Sequence, residues 1–330
     1  MRPFKYTHAS DTGTAVQAMS SNMNAKFIAG GTNILDLMKE GVENPNELID
    51  IARLNLTQIK TTTNGISIGA LARNVDTANH PLIRRGFPLL TQAILAGASA
   101  QIRNMATNGG NLMQQTRCPY FYDISMPCNK REAGSGCGAL EGFNRNHAIF
   151  GYSPGCVDVH PSDMCVALMA LDAIVNVQGP DGKTRSIQFA DFFQPSADMM
   201  MSDTSLKHGE LITSIDLPKS NFADNSYYLK VRDRASYAFA LVSVAAALDL
   251  TGGKIKDIRI AMGGVAPKPW RALEAEKVLK GKVPSDENFR AAADAEMKGA
   301  QPLEHNKFKV ELGRRAIVLA LKRASHSGAA

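Results

Sequence analysis

The chain has 330 residues, of which 44% are hydrophobic, 6% are aromatic and 21% are charged, and its formal net charge is +6. This length allows two or three domains with a sizeable core. Apolar runs are too short for a membrane span, and scattered basic residues with few aromatic ones argue against a nucleic-acid surface.

The first informative segment is AKFIAGGTNILDLMKEG, which begins at residue 25. Its pattern predicts a short apolar strand, a turn at Gly30 and Gly31, and an amphipathic helix. Backbone N–H groups around Thr32 and Asn33 would be free to face an anion. The segment is neither a G-x-G-x-x-G fingerprint nor a P-loop. A tight turn without a ligand is therefore the other interpretation.

The following segments predict two short strands and a helix. The strands are NELIDI and GISIGALA, with a turn at Asn64 and Gly65 between them, and the helix is PLLTQAILAGAS. Residues 101–111, QIRNMATNGGN, then form a second cluster of glycines with small polar side chains. Two such clusters suit a ligand with two phosphates and several hydroxyls better than two unrelated turns.

Four of the five cysteines lie between residues 118 and 156, in a segment interrupted by glycines and prolines that predicts a long loop. Thiolates favour zinc or an iron–sulfur cluster. The gaps are wider than the tight cysteine pairs of structural zinc sites, and they also differ from ferredoxin spacings. Disulfides and free thiols are the alternatives, although MRPFKYTHAS does not resemble an export signal. The spacing favours a metal or cluster site. These residues are Cys118, Cys128, Cys137 and Cys156.

The segment HPSDMCVALMALDA, at residues 160–173, predicts a helix that begins after the cysteine loop. Ser162 is a plausible N-cap, and Asp163 in the first turn would serve either the helix dipole or a ligand hydroxyl. Cys165 lies among apolar residues at helical spacing, so we expect it to be buried and inert.

The rest of the chain predicts a hairpin, a linker, further strands and three helices. AIVNVQGPDGKTRSIQ reads as the hairpin and residues 194–210 as the linker. LITSIDL, SYYLKVRDRASYAFALVSVAAALDL and KIKDIRIAMGGVA predict antiparallel strands, and residues 271–280, 286–298 and 307–324 predict helices. A regular βαβ rhythm is missing, so α+β is the predicted fold class.

At this point the ordered motifs become recognisable. AGGTN, QIRNMATNGGN and HPSD together resemble the FAD-binding (medium) subunit of the molybdenum hydroxylase family, which includes xanthine dehydrogenase and carbon monoxide dehydrogenase. The resemblance covers essentially the whole chain. The cysteine-bearing insertion, with RCPYFYD, PCNKR and GSGC, is not general in that family. It resembles the 4Fe–4S loop in the FAD subunit of periplasmic aldehyde oxidoreductases and, more distantly, that of 4-hydroxybenzoyl-CoA reductase.

The resemblance implies an α+β fold in which a two-part FAD-binding domain precedes a C-terminal antiparallel three-stranded sheet with a helical bundle. Residues 1–55 would form FAD-binding subdomain 1. Residues 56–200 would form subdomain 2, with the 4Fe–4S loop at 117–157. Residues 205–330 would form the C-terminal flavoprotein domain.

The resemblance also implies roles for individual residues. Residues 26–34 would wrap the FAD pyrophosphate, Asp163 would hold an FAD hydroxyl, and Lys230 would approach the flavin. Arg103 and Arg234 would pair either with FAD or with acidic neighbours. The four cysteines would ligate the cluster, and no side chain is expected to act as an acid, base or nucleophile, because the cofactors carry the redox chemistry. The expected cofactor-binding residues are Lys26, Phe27, Ile28, Ala29, Gly30, Gly31, Thr32, Asn33, Ile34, Thr107, Gly110, Asn111, Ser162, Asp163 and Lys230.

The implied function is electron transfer in a heterotrimeric aldehyde oxidoreductase. A large subunit would hold the molybdenum pterin and a small subunit two 2Fe–2S clusters, and this chain would pass their electrons through FAD to an external acceptor. A periplasmic location would require co-export with a signal-bearing partner, and the cytoplasm is the alternative. Two other functions compete: a zinc-stabilised binding module, and a stand-alone flavin oxidase of the vanillyl-alcohol oxidase type.

Overall fold

The computed structural model describes residues 1–194 and 203–326. These residues form three sheets, and helices pack against each of them. The predicted linker at 194–210 falls partly on residues 195–202, which lie outside the described residues. Among the helices described, none combines the length and the apolar character that crossing a membrane requires.

The first sheet is parallel, with the strand order β1-β3-β2. Helices connect its strands, as parallel pairing requires. The first helix begins at a capping box, in which Asp11 and Thr14 each bond the backbone N–H of the other. The sequence patterns predicted β2, α2 and β3 but not β1 or α1. The elements are β1 (Lys5–His8), α1 (Thr12–Ser20), β2 (Ala25–Ile28), α2 (Ile34–Lys39) and β3 (Glu47–Asp50).

The second sheet is antiparallel and has the strand order β4-β5-β8-β6-β7. Its strands are β4 (Ile59–Thr62), β5 (Gly65–Gly69), β6 (Ile174–Gln178), β7 (Thr184–Gln188) and β8 (Leu211–Pro218). The turn at Asn64 and Gly65 joins β4 to β5, not NELIDI to GISIGALA as predicted. β4 was not predicted, because it is a mostly exposed edge strand and its polar sequence lacks apolar alternation. β8 pairs with β5 and β6 and not with the strands that follow it in the chain.

Nine helices accompany this second sheet in the described residues. Helix α10 is buried along its whole length, as its apolar sequence requires, and Cys165 within it is completely buried, as predicted. It packs with α5 in the largest hydrophobic core. The helices are α3 (Asn74–Asn79), α4 (Pro81–Gly86), α5 (Pro88–Ala96), α6 (Ala100–Arg103), α7 (Asn108–Leu112), α8 (Pro119–Tyr122), α9 (Gly138–Glu141), α10 (Asp163–Ala170) and α11 (Phe189–Phe192).

The third sheet is antiparallel, with the order β12-β11-β10-β9, and three helices pack against it. Its three long strands and the three helices were predicted, and β12 adds only two residues. The α+β fold class is therefore confirmed. The elements are β9 (Ser226–Val231), β10 (Val242–Thr251), β11 (Lys254–Gly263), β12 (Trp270–Arg271), α12 (Leu273–Leu279), α13 (Asp286–Met297) and α14 (Phe308–His326).

Candidate functional site

Two clefts adjoin between the first sheet, the second glycine segment and the start of α10. One has a volume of about 340 Å³ and is lined by β2, by the turn after it, and by Thr107 and Gly110. The other has a volume of about 370 Å³ and reaches Asp163 and Lys230. Thr32, Asn33 and Gly110 line both, so the clefts form one trough of a size typical for ligand sites.

The two glycine segments approach each other so closely that a side chain would not fit between them. A Cβ atom at Gly30 would lie 2.0 Å from the backbone oxygen of Met105. Gly31 has a φ of +70°, in the left-handed region that favours glycine. The two motifs therefore pack directly against each other, and residues of both line the same cleft.

A network of amide side chains fixes the second glycine segment. The Asn111 side chain donates to Asn74 Oδ1 at 2.9 Å and accepts a short hydrogen bond from the Ser162 hydroxyl. Asn74 in turn donates to Asn108 Oδ1 at 2.9 Å. The sequence patterns did not single out Asn74, because a lone asparagine in a polar segment carries no periodic signal.

Asn33 contributes a buried donor to the region that the two clefts share. Its Oδ1 accepts a hydrogen bond from the Gln115 backbone at 3.1 Å, whereas its Nδ2 is buried without a partner in the described protein. A buried N–H without an acceptor is costly. A ligand that brings phosphate or carbonyl oxygens to the trough would satisfy it, so the trough fits a dinucleotide on this count.

Asp163 and Lys230 form a buried ion pair in the wall of the larger cleft. The Lys230 ammonium donates to Asp163 Oδ2 at 2.7 Å, and the Tyr228 hydroxyl donates to Asp163 Oδ1 at 2.7 Å. Burial, and secondly the charge of Asp163, raises the pKa of Tyr228 well above its usual value, so Tyr228 stays protonated. A carboxylate has further lone pairs, so a bound hydroxyl can still donate to it.

The predicted cofactor-binding residues come together, with one exception. All except Ile28 line the two clefts; Ile28 packs in a core with Met38 and Leu48. Arg103 and Arg234 also line the larger cleft, but they donate to the backbone oxygens of Gly97 and Tyr237 and not to carboxylates. The roles assigned to these residues toward a cofactor stay predictions.

The sequence patterns did not single out Arg117, which lines the same cleft beside the first cysteine of the loop. Its Nη1 donates to Asp36 Oδ2 at 3.0 Å, and its guanidinium lies 5.3 Å from the centre of the Phe239 ring. Arg117 therefore joins the cysteine loop to the cleft. Only its position before Cys118 could have drawn attention to it.

The four predicted cysteine ligands line one small cavity of about 10 Å³. Their thiols are free, and within residues 1–194 and 203–326 no three Cys, His, Asp or Glu side chains have the arrangement of metal ligands. Their assignment as ligands stays a prediction. Cys128 and Cys137 form an isolated antiparallel bridge, and Cys118 Sγ lies 3.2 Å from His147 Nε2. Burial raises the pKa of Cys118 to about 12, whereas a hydrogen bond from Cys156 lowers the pKa of Cys137 below its usual value.

Polar contacts hold the cysteine loop around this cavity. The buried Lys130 ammonium lies 2.6 Å from Asp158 Oδ2 and 2.7 Å from Asp203 Oδ1. Burial opposes its charge, but the two carboxylates together keep the pKa of Lys130 above its usual value. The Asn129 side chain donates to the Gly155 backbone oxygen at 2.8 Å. The middle of the loop is thus held to its C-terminal end and to Asp203.

The fold and the trough define a class of protein: an α+β protein in which two glycine segments line a ligand-sized trough and an antiparallel domain follows at the C-terminus. Two family models match the chain in succession. The FAD binding domain in molybdopterin dehydrogenase matches residues 2–220, and the CO dehydrogenase flavoprotein C-terminal domain matches residues 227–326. The chain therefore belongs to the molybdenum hydroxylase family, as an FAD-binding medium subunit.

Relatives and solved structures agree with this assignment. The aldehyde oxidoreductase FAD-binding subunit PaoB of Escherichia coli (strain K12) is 48% identical over 98% of this chain and 99% of its own length. The glyceraldehyde dehydrogenase medium chain of Sulfolobus acidocaldarius is 33% identical over 86% of this chain and 83% of its own. The structure of carbon monoxide dehydrogenase from Hydrogenophaga pseudoflava superposes with a TM-score of 0.78, at 26% identity, over 99% of this chain and 98% of that one.

Proposed function

We propose that this chain is the electron-transfer flavoprotein subunit of a molybdenum-dependent aldehyde oxidoreductase. The observation that carries the proposal is the trough that the two glycine segments line together, with the unpaired Nδ2 of Asn33 in the region shared by its two clefts. The near full-length similarity to an aldehyde oxidoreductase subunit supports the substrate class. FAD supplies the chemistry needed when bound, because it accepts electrons singly and releases them in pairs.

The residues of the trough would bind and orient the cofactor. The turn at Gly30 and Gly31 would hold the pyrophosphate, and Thr107 with Gly110 would close the opposite wall. Asp163 would accept a hydrogen bond from a hydroxyl of FAD. Lys230 would stay paired with Asp163 and would keep that carboxylate in place.

We further propose that Cys118, Cys128, Cys137 and Cys156 ligate a 4Fe–4S cluster. In support, all four cysteines of the loop line one cavity, whereas Cys165 lies elsewhere, in a hydrophobic core. Four thiolates are the donor set of such clusters. The cavity of about 10 Å³ is smaller than a cluster, so the side chains would turn outward around it. The cluster would supply a one-electron redox centre beside the trough.

The proposed partners are a small subunit with 2Fe–2S clusters and a large subunit with the molybdenum cofactor, in a heterotrimer that reduces an external acceptor. We propose that the complex is periplasmic and that this chain is exported together with a signal-bearing partner. Fractionation of cells tests this location: the assembled complex should appear in the periplasmic fraction, and its confinement to the cytoplasm would contradict the proposal.

Anaerobic reduction of the purified heterotrimer by an aldehyde tests the proposed electron transfer. The flavin absorbance should bleach when aldehyde is added, and the chain alone, loaded with FAD, should not respond. Bleaching by aldehyde in the chain alone would instead support a stand-alone flavin oxidase. Failure to bleach in an intact complex with active molybdenum would contradict the proposal.

Metal analysis separates the proposed cluster from the zinc-stabilised alternative. We expect about four irons beyond those of the small subunit. Zinc in their place would contradict the cluster and would leave the assignment of the flavin site untouched, because the trough does not depend on the cysteine cavity.

A further inference from the structure

His147 contacts one of the four cysteines, Cys118, although it belongs to none of the motifs in the sequence. Its ring is buried, and its Nε2 lies 3.2 Å from the Sγ atom of Cys118. Its other ring nitrogen, Nδ1, is buried and has no hydrogen-bond partner in the described protein. The contact with Cys118 is therefore the only polar interaction that the structure gives to this ring.

This arrangement decides which ring nitrogen carries the proton. A neutral imidazole has one N–H donor and one acceptor nitrogen. A buried N–H without a partner is rarer than an under-satisfied acceptor, so the proton belongs on Nε2 and the unpaired Nδ1 is the acceptor. A cysteine thiolate bound to a metal has no proton to donate. The only hydrogen bond compatible with ligation by Cys118 runs from His147 Nε2–H to its sulfur.

Buried polar groups fix the backbone that carries His147. Lys309 Nζ donates to the His147 backbone oxygen at 2.9 Å and to the Gly264 backbone oxygen at 2.7 Å. Asn306 Nδ2 donates to the same His147 oxygen at 3.1 Å, and Asn144 Oδ1 accepts from the His305 backbone at 3.0 Å. Asn144, Lys309 and Asn306 are at most 1% exposed. The C-terminal domain thus holds the imidazole in one place.

Lys309 has no anionic partner among the described residues. Its side chain is fully buried, and no carboxylate in the described part of the chain lies within salt-bridge distance of it. Burial lowers the pKa of Lys309 to about 7. Lys309 therefore acts here as a hydrogen-bond donor to two backbone oxygens and not as half of an ion pair.

We propose that His147 is a positioning residue of the iron–sulfur site: its Nε2–H donates to the Cys118 sulfur and raises the reduction potential of the cluster. The inference rests on the proposed 4Fe–4S site. Reduction adds negative charge to the cluster and its sulfur ligands, so a donor to sulfur stabilises the reduced form more than the oxidised one. The low dielectric of a buried site strengthens this preference.

An EPR-monitored redox titration of the purified heterotrimer, with iron analysis, tests the inference. His147→Leu removes the donor and should shift the cluster midpoint to a more negative potential while the iron remains. His147→Gln places an amide donor near the Nε2 position and should restore the parent potential. His305→Leu removes a neighbouring exposed imidazole without contact to a cysteine, and should leave the potential unchanged.

The outcomes separate this inference from the function on which it rests. A parent complex without the extra irons would overturn the proposed cluster and the inference together. A parent with iron and a His147→Leu variant at an unshifted potential would overturn the inference alone. If His147→Leu loses its iron, His147→Asn is used instead, because the asparagine amide reaches only the position of Nδ1 and not that of Nε2. The midpoint potential of the cluster in His147→Asn should also be more negative than in the parent. An unshifted midpoint potential in this variant would overturn the inference.

Discussion

The trough and the cysteine cavity lie next to each other but are built in different ways. The trough consists of two clefts of about 340 and 370 Å³, and its walls are backbone turns and an amide network. The cysteine cavity has about 10 Å³ and is lined by side chains on an irregular loop. A cofactor bound through shape and hydrogen bonds needs a preformed space, whereas ligands that bond directly to a metal need only to be within reach of it.

Removal of a single thiol is the sharpest test of this difference. Cys128→Ser should remove essentially all iron of the proposed cluster, because three thiolates leave one iron without its protein ligand. The flavin content should stay close to one per chain, since the trough does not use Cys128. Iron and flavin analysis of the purified heterotrimer measures both. Cys165→Ala, in the core helix, is the matched control and should retain both cofactors.

The reverse experiment alters the trough and spares the cysteines. Gly30→Ala would bring a methyl group within 2.0 Å of the Met105 oxygen, so the two walls must move apart. We expect the affinity for FAD to fall at least tenfold, which corresponds to a loss of about 1.4 kcal/mol in binding free energy. Fluorescence titration of the deflavinated complex with FAD measures this affinity. At Gly86 an added methyl group would meet only the Ile66 side chain, at an ordinary contact distance of 4.0 Å, so Gly86→Ala should bind FAD like the parent. An unchanged affinity of Gly30→Ala would refute the role of this close approach.

A third comparison sets the buried ion pair of the trough against an exposed one. Asp163→Asn leaves the buried Lys230 without its carboxylate, so the free energy of unfolding should fall by roughly 3 kcal/mol. Asp233→Asn breaks the exposed pair with Arg145 and should cost less than about 1 kcal/mol. Urea unfolding of the two variants measures both values. Equal losses would show that burial does not distinguish the two pairs.

The smallest expected effect concerns pH. Burial, reinforced by Lys130, lowers the pKa of His160 from 6.5 to about 4 in the folded chain. Between these values the unfolded chain binds a proton that the folded chain does not, so the free energy of unfolding should fall as pH falls from 6.5 towards 4. In His160→Gln, the free energy of unfolding measured with urea should change less with pH over this interval. His305→Gln, at an exposed position, is the control and should show the same dependence of unfolding free energy on pH as the parent. If His160→Gln also kept that dependence, His160 would not be its source.

The sequence predicted most of the regular elements because their patterns are local. The apolar runs of α10 and β10 and the alternation in β6 and β11 are visible in short windows. β4 was missed because an exposed edge strand has little apolar periodicity. The position of β8 was missed because strand order depends on long-range pairing, which no local pattern encodes.

Of the candidate site, the sequence predicted the residues that belong to motifs or to the family resemblance. Glycine clusters and cysteines stand out in a sequence, and the structure places them in one trough and one cavity. Asn74, His147 and Lys309 were not predicted, because they act through contacts with residues that are distant in the chain and no local pattern distinguishes them. Ile28 was included because it lies inside a motif, but the strand turns its side chain into the core.

Native mass spectrometry of the heterotrimer, followed by release of this chain in the gas phase, tests the central claim most directly. We predict that the chain carries the added mass of one FAD and one Fe₄S₄ cluster at once. Cys128→Ser should lose only the cluster mass, and Gly30→Ala only FAD. A parent chain released from an active complex with neither added mass, or with zinc in place of the cluster, would contradict two adjacent cofactor sites in one chain.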